Sequence, residues 1–112
     1  MFERGDLLLI PYPFTDLSAA KRRPVLALTG PDTYGDFIAL PVTSRLQKEN
    51  SIALASVDLI RGNVPVQSWI RIDRIVTLNA SLIVKTIGTV SAGIVDAAVE
   101  GFCARIRAPA RR

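Results

Sequence analysis

The 112-residue sequence predicts a mainly β fold with helices: a small, strongly curved β-barrel or half-barrel followed by a C-terminal helix. Three observations lead to it. Short apolar runs recur between clusters of Gly, Pro, Asp and Asn, the punctuation expected of strands joined by turns. Alternation with period two is clear in the stretch from Ser68 to Ile75. Only the last third changes to a helical period, and several short strands followed by one helix close most readily as a small barrel. A chain of this length supports one modest core, so residues 1–112 are read as a single domain.

Each element follows in order. Leu7 to Pro11 reads as a first strand introduced by Gly5-Asp6, and Pro13 to Ala20 as a polar, proline-bounded loop. Pro24 to Thr29 is a second strand, stopped by Gly30-Pro31-Asp32. Asp36 to Val42 is a third, with Pro41 marking an edge or a bulge near its end. Arg45 to Asn50 is a polar turn, Ser51 to Val57 a fourth strand, and Gly62-Asn63-Val64-Pro65 a loop. Ser68 to Ile75 is a fifth strand, with Trp69, Arg71 and Asp73 on one face and Ser68, Ile70 and Ile72 on the other. That spacing separates Arg71 from Asp73 by roughly 6.5 Å along the strand. Asn79 to Ile83 suggests a short helix or turn, and Thr86 to Thr89 a short strand broken by Gly88. Ser91 is the expected N-cap of a helix running to about Ile106, with Ile94, Val95, Ala98, Phe102 and Ile106 as its apolar stripe. Residues 108–112 form a basic, proline-containing tail expected to fray.

Composition narrows the function classes. Apolar residues make up 49% and charged residues 21%, the balance of a folded soluble protein, and no apolar run approaches a membrane span. The net charge of +4 points toward a polyanionic partner. A single cysteine, Cys103, cannot form an internal disulfide; it fits a reducing cytoplasm and reads as a small packing residue of the helix. Histidine is absent, which removes the commonest general base and the commonest metal ligand. No glycine-rich phosphate loop and no nucleophile elbow is present. No metal site and no cofactor is expected, so any catalysis must use carboxylate, hydroxyl and guanidinium groups.

The sharpest local feature is Lys21-Arg22-Arg23-Pro24, three cations set directly before an apolar strand. The strand fixes Arg23 while the charges require solvent or an anion. Arg71 and Asp73 are a second polar pair on a strand face; spacing alone makes them a surface ion pair worth under about 1 kcal/mol. Thr43-Ser44, before a polar turn, reads by itself as strand-end capping. Core packing is the expectation for Trp69, whereas Phe14, between proline and threonine in a loop, is the better aromatic for stacking on bases.

The ordered set GDLLLIPYPF, KRRPVLALTG, IALPVTS and SWIRIDRIVTL resembles the MazF/PemK (Kid) family of toxin ribonucleases, from Gly5 through the final helix. The resemblance implies an SH3-like barrel assembled as a homodimer, metal-independent cleavage of single-stranded RNA, and neutralisation by a cognate acidic antitoxin. Residue by residue, it implies catalytic roles for Arg23, Thr43, Arg71 and Asp73, with Ser44 beside Thr43. Phe14, Lys21, Arg22 and Ser44 are the expected RNA contacts. The PemK-like branch also carries a histidine in the loop after the first strand, and the loop from Pro11 to Ala20 has none.

Elementary chemistry supports the same reading. RNA is cut without metal when its 2′-hydroxyl attacks the adjacent phosphorus, leaving a 2′,3′-cyclic phosphate and a 5′-hydroxyl. The reaction is helped by a base, by charge on the non-bridging oxygens and by a proton for the leaving oxygen. Asp73 is the expected base; an ordinary carboxylate is a weak base at pH 7, so upward tuning by burial would help it. Arg23 and Arg71 offer planar donor forks to phosphate, and Thr43 a hydroxyl. Two other readings stay open: a CcdB-like toxin that binds DNA gyrase and cleaves nothing, and a basic barrel that binds RNA without cutting it.

Overall fold

The computed structural model describes residues 1–11, 21–107 and 109. Among these residues eight strands precede one helix: β1 (Asp6–Pro11), β2 (Arg22–Ala27), β3 (Asp36–Thr43), β4 (Ser51–Leu54), β5 (Leu59–Gly62), β6 (Ser68–Arg71), β7 (Val76–Asn79), β8 (Lys85–Val90) and α1 (Ala92–Ile106). The strands form one antiparallel sheet in the order β4-β6-β3-β2-β1-β8-β5, and β7 also pairs with β3. This is the curled β architecture with a C-terminal helix that the sequence predicts.

Alternation on the central strands builds two cores. Leu7, Leu26, Leu40, Val42 and Ile70 turn to one face, where Val95 and Ala98 of α1 cover them. Leu8, Ile10, Val25, Ala27, Phe37 and Ala39 turn to the other, where Phe2 and Leu78 join them. The rings of Phe2 and Phe37 meet edge to face at 4.7 Å. β3 changes partner along its length, pairing β7 through Ala39 and β6 from Val42. Pro41 falls at that junction, where a residue lacking an N–H is tolerated inside a strand.

Several expectations are corrected. The expected strand from Ser68 to Ile75 ends at Arg71; a turn follows, and a separate strand, β7, starts at Val76. Its two faces are as predicted, with Ser68 and Ile70 buried. The fourth strand stops at Leu54, and a single 3-10 turn (Ser56–Asp58) leads into β5, which overlaps the expected loop at Gly62. Trp69 is half-buried and belongs to neither core cluster, because the face it shares with Thr43 opens outward at that end of the sheet. Ser91 is the N-cap of α1, but by its backbone carbonyl, which accepts from the Ile94 and Val95 N–H groups; its hydroxyl makes no cap bond. The apolar stripe ends before Ile106, which is 65% exposed. Cys103 is half-buried. The loop expected from Pro13 to Ala20 and most of the basic tail lie outside the described residues.

Candidate active site

The face that forms the second core does not stay apolar along its length. On β2 the side chains of Val25 and Ala27 fill that core, and Arg23 continues the same row beyond it. On β3, Phe37 and Ala39 are followed on the same face by Pro41 and Thr43. β6 then adds Trp69, directly across from Thr43, and Arg71 two residues on. A single sheet face is thus dry at one end and polar at the other.

The polar end is a cleft of about 440 Å³, lined by Lys21, Arg23, Pro41, Val42, Thr43, Arg45, Arg71, Arg74 and Val76. Five cations share this space, and no carboxylate is among its described lining residues. That much like charge above an apolar floor of Pro41, Val42 and Val76 makes the cleft attractive to an anion. The sheet supplies the rigidity that holds the groups converged.

Arg71 and Asp73 touch, though not by strand geometry. Because β6 ends at Arg71, the chain turns through Ile72 and folds the Asp73 carboxylate back onto the guanidinium. Nε donates to Oδ1 at 3.2 Å and Nη2 to Oδ2 at 3.1 Å, a two-pronged pair whose side chains are only 20% and 19% exposed. Those hydrogen bonds hold the Asp73 carboxyl below its ordinary value of 3.8, with the charges of Arg71 and Arg74 acting in the same direction and burial only partly opposing them. The upward tuning that would help a base is therefore not found: Arg71 outweighs desolvation. One guanidinium edge is engaged by Asp73, and Nη1 with the second hydrogen of Nη2 remains for another acceptor.

Thr43 takes the capping role read for it from its position before the turn. Its Oγ1 accepts the Arg45 N–H at 3.1 Å, which caps the strand end. The hydroxyl hydrogen is left to donate into the cleft that the residue lines.

Of the eight residues singled out in the sequence, Lys21, Arg23, Thr43 and Arg71 come together in this cleft. Asp73 joins them through Arg71. Ser44 is exposed and is not a lining residue. Arg22 departs from expectation: alternation on β2 turns it to the opposite face, where it lines a separate cleft with Lys85 and Asn63. Phe14 lies outside the described residues. Arg45 and Arg74 are additions. Arg45, two residues past Thr43, could have been found by extending the strand period; Arg74 reaches the cleft through the turn after β6, which alternation does not signal.

Comparison with known proteins gives the same architecture. A family model described as PemK-like, MazF-like toxin of type II toxin–antitoxin system matches residues 3–104. No curated protein sequence matches the chain. A mycobacterial endoribonuclease solved in complex with its cognate antitoxin superposes with a TM-score of 0.75 at 15% identity, covering 99% of this chain and all of that one. The Mycobacterium tuberculosis toxin MazF-mt6 gives 0.70 at 17% identity, over 90% of this chain and 95% of its own. MazF from a MazE-MazF crystal structure of Deinococcus radiodurans gives 0.72 at 21% identity, over 94% and 95%. At these identities the structural likeness is one of fold, and it is the family model, spanning nearly the whole chain, that assigns the relationship. The chain belongs to the PemK-like, MazF-like family of type II toxin–antitoxin toxins.

Proposed function

We propose that this toxin is a metal-independent endoribonuclease that cleaves single-stranded RNA. The observation that carries the reading is the cleft itself, in which Arg23, Arg71, Lys21, Arg45 and Arg74 converge around the Thr43 hydroxyl. The endoribonuclease descriptions of the superposable structures support it. In the proposed reaction the 2′-oxygen bonds to phosphorus, the P–O5′ bond breaks, and the products are a 2′,3′-cyclic phosphate and a 5′-hydroxyl. Arg23 and the open edge of Arg71 neutralise the non-bridging oxygens, and Thr43 donates a hydrogen bond to the same phosphate. Asp73 receives the hydroxyl proton, and water protonates the departing 5′-oxygen. Because its pKa is held low, Asp73 is a weak base at neutral pH. Charge stabilisation therefore carries the larger share of the acceleration. Lys21, Arg45 and Arg74 guide the flanking backbone.

The biological setting we propose is the cytoplasm, with the toxin acting as a homodimer restrained by a cognate acidic antitoxin. No helix among the described residues is long and apolar enough to cross a membrane. Superposable proteins have been solved with their antitoxins, and the cationic cleft suits an acidic chain. The test is incubation of the purified protein with a long single-stranded RNA in EDTA, followed by mapping of cut positions and end groups. Discrete cuts bearing cyclic phosphate are expected. Intact RNA would leave a binding protein, and 3′-hydroxyl ends would indicate a different reaction.

A further inference from the structure

We propose that Asn50 and Gly101 are positioning residues through which α1 aims the Arg71 guanidinium. Neither touches the cleft. The inference rests on the reading of Arg71 as a phosphate-stabilising residue, although the geometric coupling is testable without it.

Two contacts hold the residue between Arg71 and Asp73, and a third ties one of them to α1. The backbone N–H of Ile72 donates to the Asn50 carbonyl at 3.1 Å, extending the β4–β6 ladder one step past the Ser51–Arg71 pair. Asn50 is the sole non-glycine with positive φ among the described residues, at +55°, a conformation that asparagine tolerates better than most side chains. Its Oδ1 accepts from Arg105 Nη1 of α1 at 3.0 Å. On the other side Gly101 of α1 packs against Ile72 so closely that an added Cβ would lie 2.7 Å from Ile72 Cδ1. Ile72 is thus held by its backbone through Asn50 and by its side chain through Gly101, and both holds lead to the same helix.

The arrangement matters because Arg71 and Asp73 flank Ile72 in the turn. Their two-pronged pair forms only while the chain reverses at Ile72 as it does here. A displacement of Ile72 moves both ends of the pair and rotates the free guanidinium edge. Small misplacements of a stabilising donor are costly to catalysis while leaving binding by the other four cations of the cleft largely intact.

The prediction is a separation of rate from affinity and from stability. Gly101→Ala adds the Cβ that meets Ile72, yet replaces a helical glycine with the residue of highest helix propensity. Because Cδ1 is the far end of a flexible side chain and can swing aside, the expected fall in kcat is modest, about threefold, with KM unchanged and no loss in melting temperature. Ile72→Val removes Cδ1, the atom that is met, so Gly101→Ala/Ile72→Val is expected to return kcat to the wild-type value. Asn50→Gly keeps the positive φ but loses the bond to Arg105, and is expected to lower kcat in the same selective way. The direct readout is the Arg71 Nε–H cross-peak in 15N-correlated NMR, identified by its loss in Arg71→Lys. It is expected to shift or broaden in Gly101→Ala and Asn50→Gly and to recover in the double variant. An unchanged cross-peak with wild-type kcat in both single variants overturns the proposal, as does a loss of kcat matched by a loss of melting temperature without rescue. If Arg71→Ala itself cleaves at the wild-type rate, the catalytic reading fails instead, and the cross-peak still decides the coupling.

Discussion

Arg71 and Asp73 show how one pair of side chains sets the chemical character of the site. The carboxylate occupies Nε and Nη2 of the guanidinium, and that contact explains both the fixed direction of Arg71 and the low pKa of Asp73. Removing the fork by Arg71→Ala is expected to lower RNA cleavage by about 100-fold or more, the cost of losing one preorganised donor to a developing oxyanion. Initial rates on a long single-stranded RNA check this, and a rate near wild type would remove Arg71 from the site. Asp73 allows a prediction in pH. Its folded-state pKa lies below its unfolded value of about 3.9, so the pair adds stability above that pH and loses it as pH falls through the folded-state value. In thermal melts between neutral pH and about pH 2.5, Asp73→Asn is expected to flatten the acid limb of melting temperature relative to wild type. Parallel curves for the two proteins would mean that the ion pair carries no linkage. At this scale the ion pair of Arg71 and Asp73 was legible in their spacing but its geometry was not: spacing put both on one strand face, whereas a turn at Ile72 folds one back onto the other.

At the scale of elements, that turn explains what could and could not be read in advance. The alternation of Arg71-Ile72-Asp73 runs past the end of the strand and fails only at Arg74-Ile75, so no local signal ends β6 at Arg71. The strand ends because its neighbour does: β4 begins at Ser51, opposite Arg71, and Asn50 supplies only one further bond. Strand ends set by a partner are a tertiary property that residue patterns do not carry. β1, β2, β3 and α1 were legible because their own patterns specify them. β5 was not, because Leu59–Gly62 is too short to announce itself and forms by pairing with β8. Here two glycines matter. Gly62 adopts φ +75° and faces Gly88 across the pair; a Cβ on Gly62 would collide with the Ile87 carbonyl, and one on Gly88 would sit 2.7 Å from the Arg61 carbonyl. Backbone obstructs both positions, so side-chain rearrangement offers no relief. Gly62→Ala is expected to destabilise the fold by about 2 kcal/mol or more, combining left-handed strain with the steric conflict. Chemical denaturation checks the value, and a change under about 0.5 kcal/mol would mean that β5 shifts freely on β8.

Across the whole molecule, charge is sorted by the two faces of one curled sheet. The run Lys21-Arg22-Arg23 looked like a single basic patch, but the pleat sends Lys21 and Arg23 into one cleft and Arg22 into another. Arg45 and Arg74 arrive in the first cleft from separate loops, which is why sequence reading found three of its five cations. If these five track an RNA backbone, the binding constant will depend on salt in a way that counts them. For a single strand, each phosphate contact contributes about 0.7 to the slope of log K against log salt. Arg45→Ala and Arg74→Ala are each expected to weaken binding and to reduce that slope by about 0.7, whereas Arg22→Ala should leave it unchanged. A fluorescent 2′-O-methylated single strand, which lacks the attacking hydroxyl, permits the measurement by anisotropy over a series of sodium chloride concentrations without cleavage. Equal effects of all three substitutions would mean that the protein attracts RNA through its net charge alone. A loss confined to Arg45 and Arg74 would trace the path of the strand through the cleft that holds Arg23, Thr43 and Arg71.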